Sequence, residues 1–313
     1  MNPPMARTSP RDLRRRMSSV RTAMTITRAM KTVASLKLRK ARELLSPARD
    51  FHAQLQAVWL SLDREARDRA LAPAPAVAKE PDLPPGTAGN PRVLEEGERP
   101  RLEPGPGNTL LVVLTSDRGL AGAYNADVLR AWLTARDAYP GSSVVVLGSR
   151  GREALLARGV APILALPFPD RPDLALSRYL GQLLAWAWWE RGARSFLVHT
   201  RFYSALKREA VVTPCVPPAP APATRPSRTG FLWEPSEAGV ARHLLPHLAA
   251  AQVYLAIAGS RAAELAARVS AMDAATEKAG ELLEELTLTY HRVRRERITR
   301  ELVEASGREV NWP

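Results

Sequence analysis

The last third of the chain carries one long, regular seam of apolar and small residues. Alternating steps of three and four residues run from Leu255 to Val293, through Ala258, Ala262, Leu265, Val269, Met272, Thr276, Ala279, Leu283, Leu286 and Tyr290. A period of 3.5 residues held over this length predicts a helix that buries a narrow seam against a second helix, in a left-handed coiled coil. Because many seam residues are small, the second helix can approach closely.

A helix near the start of the chain is the expected partner. No Pro or Gly interrupts residues 11–46 and good helix formers dominate, which predicts a helix from Arg11 to Leu45. We expect a kink rather than a stop at Pro47, with the helical pattern continuing to about Leu71. Two apolar stripes follow this helix, the first formed by Leu13, Met17, Val20 and Met24 and the second by Ile26, Met30 and Val33.

The middle of the chain has a different pattern. Short apolar runs at 108–117, 142–149, 195–200 and 209–214 predict four strands, and helical stretches separate the first three. Strands that alternate with helices indicate a mainly parallel sheet. The expected fold is therefore α/β plus a long α-helical coiled coil, in which an antiparallel pair of N- and C-terminal helices carries an inserted Rossmann-like α/β domain. In a plainer alternative, both terminal helices pack flat on the α/β domain.

Four segments follow from these patterns. We expect an N-terminal coiled-coil helix at 1–71, a Pro-rich linker or insertion at 72–107, a central α/β domain at 108–230 and a C-terminal coiled-coil helix at 231–313. A second Pro-rich loop is expected from Pro214 to Pro226.

The charge of the chain is strongly positive and uneven. The net charge is +13, and residues 1–50 hold thirteen Lys and Arg against three acidic residues. A basic end of this kind implies an acidic partner, which could be nucleic acid, anionic lipid or an acidic protein surface. No apolar run approaches the ~20 residues of a membrane span, and no signal-peptide core is present. The single cysteine, Cys215, indicates a reducing compartment.

Motifs that carry chemistry are scarce. The chain has no phosphate-binding G-x-x-x-x-G-K-[ST] loop, and the sequence GSRG at 148–151 lacks most of a dinucleotide-binding motif. His243 and His247 lie four residues apart without a nearby carboxylate or thiol, which favours an exposed helical pair over a metal site. We therefore expect no catalytic residue, no bound cofactor and no metal.

Four stretches resemble one protein family. ITRAMKTVASLKLRKA (26–41) looks like an N-terminal helix signature, and VVLTSDRGLAGAYN (112–125) is similar to the strand and turn that open the central domain. FLWEPS (231–236) looks like the return into the long C-terminal helix, and residues 263–307 resemble the C-terminal signature nearly throughout. The chain resembles the gamma subunit of F-type ATP synthases, the central rotor shaft.

This resemblance implies a non-catalytic subunit. The helical pair would insert into a hexamer of alpha and beta subunits, and its lower part would stand on the membrane-embedded c ring beside the epsilon subunit. Ion flow would turn the ring and the shaft, and each catalytic beta subunit would be driven through its conformations. The chain would then be peripheral at the cytoplasmic face of a bacterial cell membrane, would touch the membrane only through the c ring, and would bind no nucleic acid.

The resemblance also implies contact residues. The basic residues expected to face acidic loops of beta are Arg28, Lys31, Lys37, Arg39 and Lys40, although a solvated charged face explains each equally well. Positions matched to the contact between rotor and stator are Met30, Arg268, Thr299 and Glu301, and for Met30 a plain seam residue is an equal alternative. The expected foot on the c ring and epsilon comprises Asp117, Arg118, Gly119, Trp233 and Glu234. Gly119 is expected to adopt a backbone conformation that other residues resist.

Two other functions compete with the shaft. A basic coiled coil that binds nucleic acid is favoured by Arg14, Arg15 and Arg16, but the basic helix has no aromatic residues for base stacking. An enzyme built on the α/β domain has support only at the level of fold.

Overall fold

Six helices and five strands form within residues 9–73, 108–219 and 232–309, which are the residues described by the computed structural model. In chain order they are α1 (Pro10–Ser61), α2 (Arg64–Leu71), β1 (Thr109–Leu114), α3 (Tyr124–Ala138), β2 (Ser143–Leu147), α4 (Ser149–Leu156), β3 (Leu164–Leu166), α5 (Leu174–Arg191), β4 (Arg194–Phe202), β5 (Arg208–Val216) and α6 (Glu237–Glu309). Most of the expected linker, from residue 74 to 107, and residues 220–231, which include the end of the second Pro-rich loop, lie outside the described residues.

The chain packs as two compact units. Unit 1 combines the part of α1 up to Ser35 with the part of α6 from Arg268 onward, and unit 2 comprises Leu36–Ala267. Packing therefore groups the two long helices differently from the four segments expected along the chain, because part of each helix belongs to each unit.

Unit 1 is an antiparallel pair of helices. Arg14 Nε donates to Tyr290 Oη (2.9 Å), the Thr27 and Thr276 hydroxyls are 2.7 Å apart, and Lys31 Nζ donates to Asp273 Oδ1 (2.5 Å). Successive contact residues along α1 have partners progressively earlier in α6, so the two helices run antiparallel, as we expected. Near the ends, the buried residues Leu13, Met17 and Tyr290 pack with Leu283, Leu286 and Val293.

The buried stripe of α1 is a single one. Within unit 1 this stripe consists of the buried or half-buried residues Leu13, Met17, Val20, Met24, Thr27, Lys31 and Ala34, and Met30 is half-buried beside it. The expected second stripe is wrong for two of its three members, because Ile26 and Val33 are 54% and 53% exposed and only Met30 is half-buried. Thr27 and Ala34 occupy the next seam positions instead, and a search for large apolar residues overlooks both.

Helix α1 continues past its proline. It contains Pro47 and ends at Ser61, so the break lies at residues 62–63 rather than at the proline. Leu45 and Ala48, on either side of Pro47, are both buried in unit 2. Their burial holds this segment helical despite the hydrogen bond that proline cannot make.

The sheet of unit 2 has the strand order β3-β2-β1-β4-β5. The first four pair in parallel and β5 joins β4 in antiparallel register, as in a Rossmann-like domain with one reversed edge strand. The expected count of four strands is wrong, since it omits β3, which has three residues between Pro162 and Pro167. Pro214 lies inside β5 rather than in a loop, at an edge where a missing N–H is tolerated.

Both faces of this sheet are buried. Leu110, Val112 and Leu114 of β1 face a core that includes α5 and the first turns of α6, whereas Leu111 and Val113 face a core with α3 and Ala258–Ala267 of α6. Within unit 2, Leu38, Ala41 and Leu45 of α1 join the second core. The sheet thus anchors one stretch of each long helix.

Candidate interaction surfaces

The expected basic contacts of unit 1 differ in their surroundings. Arg28 is exposed on α1, whereas Lys31 is half-buried and forms an ion pair with Asp273 across the helix pair. Met30 is half-buried beside it. Arg268 is only 9% exposed, so little of its side chain reaches solvent. Arg28 is therefore the cation of this set that unit 1 presents most freely.

Two more expected contacts lie far along α6, in the same unit. The Thr299 hydroxyl donates to the Arg295 carbonyl oxygen (3.0 Å), and Glu301 accepts from Arg297 Nε at 2.7 Å. Both residues are exposed. Their polar atoms are thus engaged within the helix, although solvent and a partner can still reach them.

In unit 2, the expected contacts Lys37 and Lys40 border a cleft between α1, α6 and the loop before α5. This basic cleft, of about 510 Å³, is lined by Lys37, Lys40, Leu44, Asp170, Arg171 and Arg261, among others. Lys37, Lys40 and Arg171 are exposed, and none of the three has an ion-pair partner among the described residues. By contrast, Arg39 has an ion-pair partner one helical turn away, because its Nε lies 3.6 Å from Glu43 Oε1. Sequence reasoning missed Arg171, because only the fold brings its loop to α1.

An ionic network that is buried at Arg261 and Glu264 and exposed at Asp170 lines one side of the basic cleft. Arg261 Nη1 donates to Glu264 Oε2 (2.6 Å), and Arg261 Nη2 donates to Asp170 Oδ1. Glu264 is 1% exposed, so its charge requires this partner. Burial, and next the negative charge of Glu264, raise the pKa of Tyr124 on the neighbouring α3. The network pairs Arg261 with two carboxylates, and the other three cations of the cleft have no ion-pair partner among the described residues.

Asp117 ties together the carboxyl ends of three parallel strands. Its Oδ1 accepts from the Ser149 N–H (2.8 Å) and its Oδ2 from the Phe168 N–H (3.0 Å). Ser149 follows β2 and Phe168 follows β3, so this carboxylate holds both turns against the end of β1. The Arg118 carbonyl oxygen accepts from the Ser116 hydroxyl (2.8 Å) in the same turn.

The expectation for Gly119 is wrong. The left-handed backbone conformations of this turn belong to Leu120 (φ 62°) and Gly122 (φ 54°), not to Gly119. A Cβ at Gly119 would meet only the Arg150 guanidinium, at 3.4 Å, which is ordinary contact. Nothing in its local geometry requires glycine.

The five expected foot residues belong to two separate segments of the chain. Trp233 packs against the first core and Glu234 is exposed, just before α6 begins at Glu237. The Asp117 turn contacts Phe168, which lies two residues before Asp170, and Asp170 pairs with Arg261. Twenty-four residues of α6 separate Glu237 from Arg261, which is roughly 35 Å at the rise of an α-helix.

No group of metal-ligating side chains occurs in the described ranges 9–73, 108–219 and 232–309. Among these same residues, no helix combines the length and the apolar character needed to cross a bilayer.

Comparisons with known proteins agree over most of the chain. The family model for ATP synthase matches residues 9–308. The ATP synthase gamma chain of Sorangium cellulosum is 35% identical over 318 residues, covering 95% of this chain and 97% of that protein. The chain belongs to the ATP synthase gamma-chain family. The gamma chain of Moorella thermoacetica is 34% identical over 299 residues, covering 94% of this chain and 95% of that protein.

Solved structures give the same fold for this gamma chain. A chain of the Euglena gracilis mitochondrial ATP synthase, from a structure of OSCP, F1 and c-ring, superposes with a TM-score of 0.62 at 16% identity, covering 96% of this chain and 93% of that chain. A chain of the Tetrahymena thermophila central stalk and c-ring superposes with a TM-score of 0.53 at 19% identity, covering 80% and 99%. The resemblance inferred from the sequence is thereby confirmed at the level of family and fold.

Proposed function

We propose that this gamma subunit is the rotor shaft that couples ion-driven rotation of a c ring to the conformational cycle of catalytic beta subunits, and that it carries no catalytic site itself. The observation that carries the proposal is the antiparallel helix pair of unit 1, in a chain of the gamma family. Two helices joined along a seam resist bending and twisting better than one, as torque transmission requires.

The basic residues supply the contacts with the surrounding subunits in this proposal. A rotating surface must pass several neighbours, which favours long-ranged electrostatic contacts over interlocking ones. Arg28 in unit 1 and the unpaired cations of the basic cleft in unit 2 are the best placed, because no internal carboxylate neutralises them. Lys31 and Arg39 are weaker candidates, since each has an acidic partner.

Met30, Arg268, Thr299 and Glu301 remain proposed contacts at the interface between rotor and stator. Met30 and Arg268 would act mainly by shaping the helix pair, since both are largely covered. For the foot on the c ring and epsilon, we propose Trp233 and Glu234 at the start of α6. Asp117 acts instead by holding the carboxyl edge of the sheet, and Arg118 and Gly119 lie in the same turn.

The proposed partners are the alpha and beta subunits of the catalytic hexamer, the epsilon subunit and the c ring. The proposed location is the cytoplasmic face of a bacterial cell membrane, with membrane contact only through the c ring. Binding to nucleic acid has less support, because Arg14 is committed within the chain: its guanidinium bonds to Tyr290 Oη and stacks 5.3 Å from the centre of that ring.

Reconstitution tests the shaft. The chain is mixed with alpha–beta hexamers, epsilon and vesicles that hold the stator and c ring, and ATP-driven ion uptake is measured per ATP hydrolysed. We expect uptake only when the chain is present, and no ATPase activity from the chain alone. Failure to associate with the hexamer, or uptake that does not depend on the chain, would reject the shaft.

A pair of variants tests the basic cleft. The cleft variant, Lys37→Ala with Lys40→Ala and Arg171→Ala, should lower ion uptake per ATP several-fold, because attraction to acidic loops is lost. The control variant loses the same charge at exposed positions elsewhere in unit 2, Arg130→Ala with Arg158→Ala and Arg191→Ala, and should couple normally. Equal coupling in both variants would remove the cleft from the proposed contact surface.

A further inference from the structure

A second cleft in unit 2 has no use in the shaft function. It lies between α1, the β4–β5 pair and α6, and its volume of about 320 Å³ falls at the lower end of the range for small-molecule sites. We name it the histidine cleft, after His52 and His199 in its wall. Its apolar lining comes from Leu45, Leu255 and Ala256, together with Phe202.

The charged groups around the histidine cleft are all basic. Arg49 and Arg201 line it, and no acidic residue does among the described residues that form its wall. Arg49 Nη2 donates to the Phe202 carbonyl oxygen (2.6 Å), which fixes this guanidinium against the wall. Glu209 lies opposite Arg201 in the strand register but accepts from the Tyr203 hydroxyl (3.3 Å). The cleft therefore favours an anion.

His199, which lines this cleft, has a polar atom that makes no hydrogen bond. The residue is 8% exposed, its Nε2 lies 3.2 Å from Thr213 Oγ1, and its Nδ1 makes no hydrogen bond. Burial, and next the charge of Arg201, lower the pKa of His199 to about 4 despite a smaller opposing effect of the Thr200 backbone, so the ring is neutral at pH 7. The Thr213 hydroxyl can donate to Nε2 or accept from it. In the tautomer in which Nε2 accepts, Nδ1 carries the proton and is a donor with no acceptor at hydrogen-bond distance.

We propose that the histidine cleft binds a small organic anion, whose apolar body lies against Leu255 and Ala256 and whose carboxylate accepts a hydrogen bond from His199 Nδ1. Arg49 and Arg201 supply the compensating charge on either side. The ligand wedges between α1 and the β4–β5 pair. This site is independent of the shaft function.

Three probes that share one ring system test the charge preference. The full chain is titrated by calorimetry with 2-naphthoate, its neutral amide and 2-naphthylmethylammonium. We expect 2-naphthoate to bind with a Kd on the order of 1 mM or tighter, which is ordinary efficiency for a ligand of this size. The amide should bind about tenfold more weakly because it lacks the charge-assisted bond, and the ammonium should not bind. No binding of 2-naphthoate, or equal binding of all three probes, overturns the proposal.

Two variants test whether the probe binds in the histidine cleft. Ala256→Leu fills the space and should abolish binding of 2-naphthoate, whereas the control Ala274→Leu, at an exposed position of the same helix, should not. His199→Phe keeps the shape of the ring but removes the donor, and should weaken 2-naphthoate about tenfold while leaving the amide nearer its original affinity. Circular dichroism confirms that each variant is folded. Undiminished 2-naphthoate binding in folded His199→Phe overturns the proposal even where Ala256→Leu fails to fold.

Discussion

At the scale of single residues, His199 links the stability of the chain to pH. Its pKa falls from 6.5 to about 4 in the folded chain, chiefly through burial. The unfolded chain therefore takes up this proton first as the pH falls. The neutral His199 ring contributes roughly 3 kcal/mol to the free energy of unfolding above pH 6.5, and this contribution is lost as the pH falls from 6.5 to 4. His199→Phe should flatten the pH dependence of the free energy of unfolding in this window, as measured by urea denaturation.

The matched control for this residue is His243→Gln, at an exposed position of α6. Burial also lowers the pKa of His52, so both proteins keep the part of the pH dependence that comes from His52. Only the difference between the two variants reports on His199. Parallel pH profiles for His199→Phe and the wild type would contradict the assignment.

Residue roles were the least predictable feature of this chain, because they depend on tertiary partners. The sequence nominated Lys37 and Lys40 from their charge alone, but Arg171 joins them only through the fold. The sequence pattern of the Asp117 turn was recognised, yet Leu120 rather than Gly119 has the left-handed backbone conformation. Local charge and composition cannot distinguish such cases.

At the scale of secondary-structure elements, the seam of unit 1 is the feature to test. Leu13 is 2% exposed and packs in the cluster around Tyr290. Leu13→Ala should destabilise the helix pair locally by about 2–3 kcal/mol, because it leaves a cavity in a contact that cannot fully collapse. Amide hydrogen exchange across residues 283–293 should then accelerate about 30-fold or more. Ile26→Ala, at a 54% exposed position of the same helix, should leave exchange unchanged. Comparable acceleration of exchange by both substitutions would show that the second apolar stripe also packs in the seam.

Elements with a long repeated pattern were predictable, and short ones were not. The antiparallel pair follows from a 3.5-residue period that tolerates Ala and Thr at the seam, so the sequence predicts that the pair forms. The seam residues of α1 beyond Met24 were nevertheless predicted wrongly. Strand β3 has three residues between prolines, too few for any periodicity. The passage of α1 through Pro47 depends on burial of its neighbours in the sheet domain, which no local propensity encodes.

At the scale of the whole molecule, the net charge of +13 governs how the chain meets its proposed partners. A strongly basic protein approaches an acidic surface faster at low ionic strength, and salt screens this attraction over about 10 Å at 0.1 M. The rate of association with alpha–beta hexamers, measured by stopped-flow fluorescence, should therefore fall as salt is raised, with little change in the dissociation rate. The cleft and control variants have the same net charge, so a general attraction would slow both equally. We expect the association rate of the cleft variant alone to depend less on salt, because the charges that it lacks lie where the partner docks. Identical salt dependence in the two variants would show that only the total charge steers the encounter.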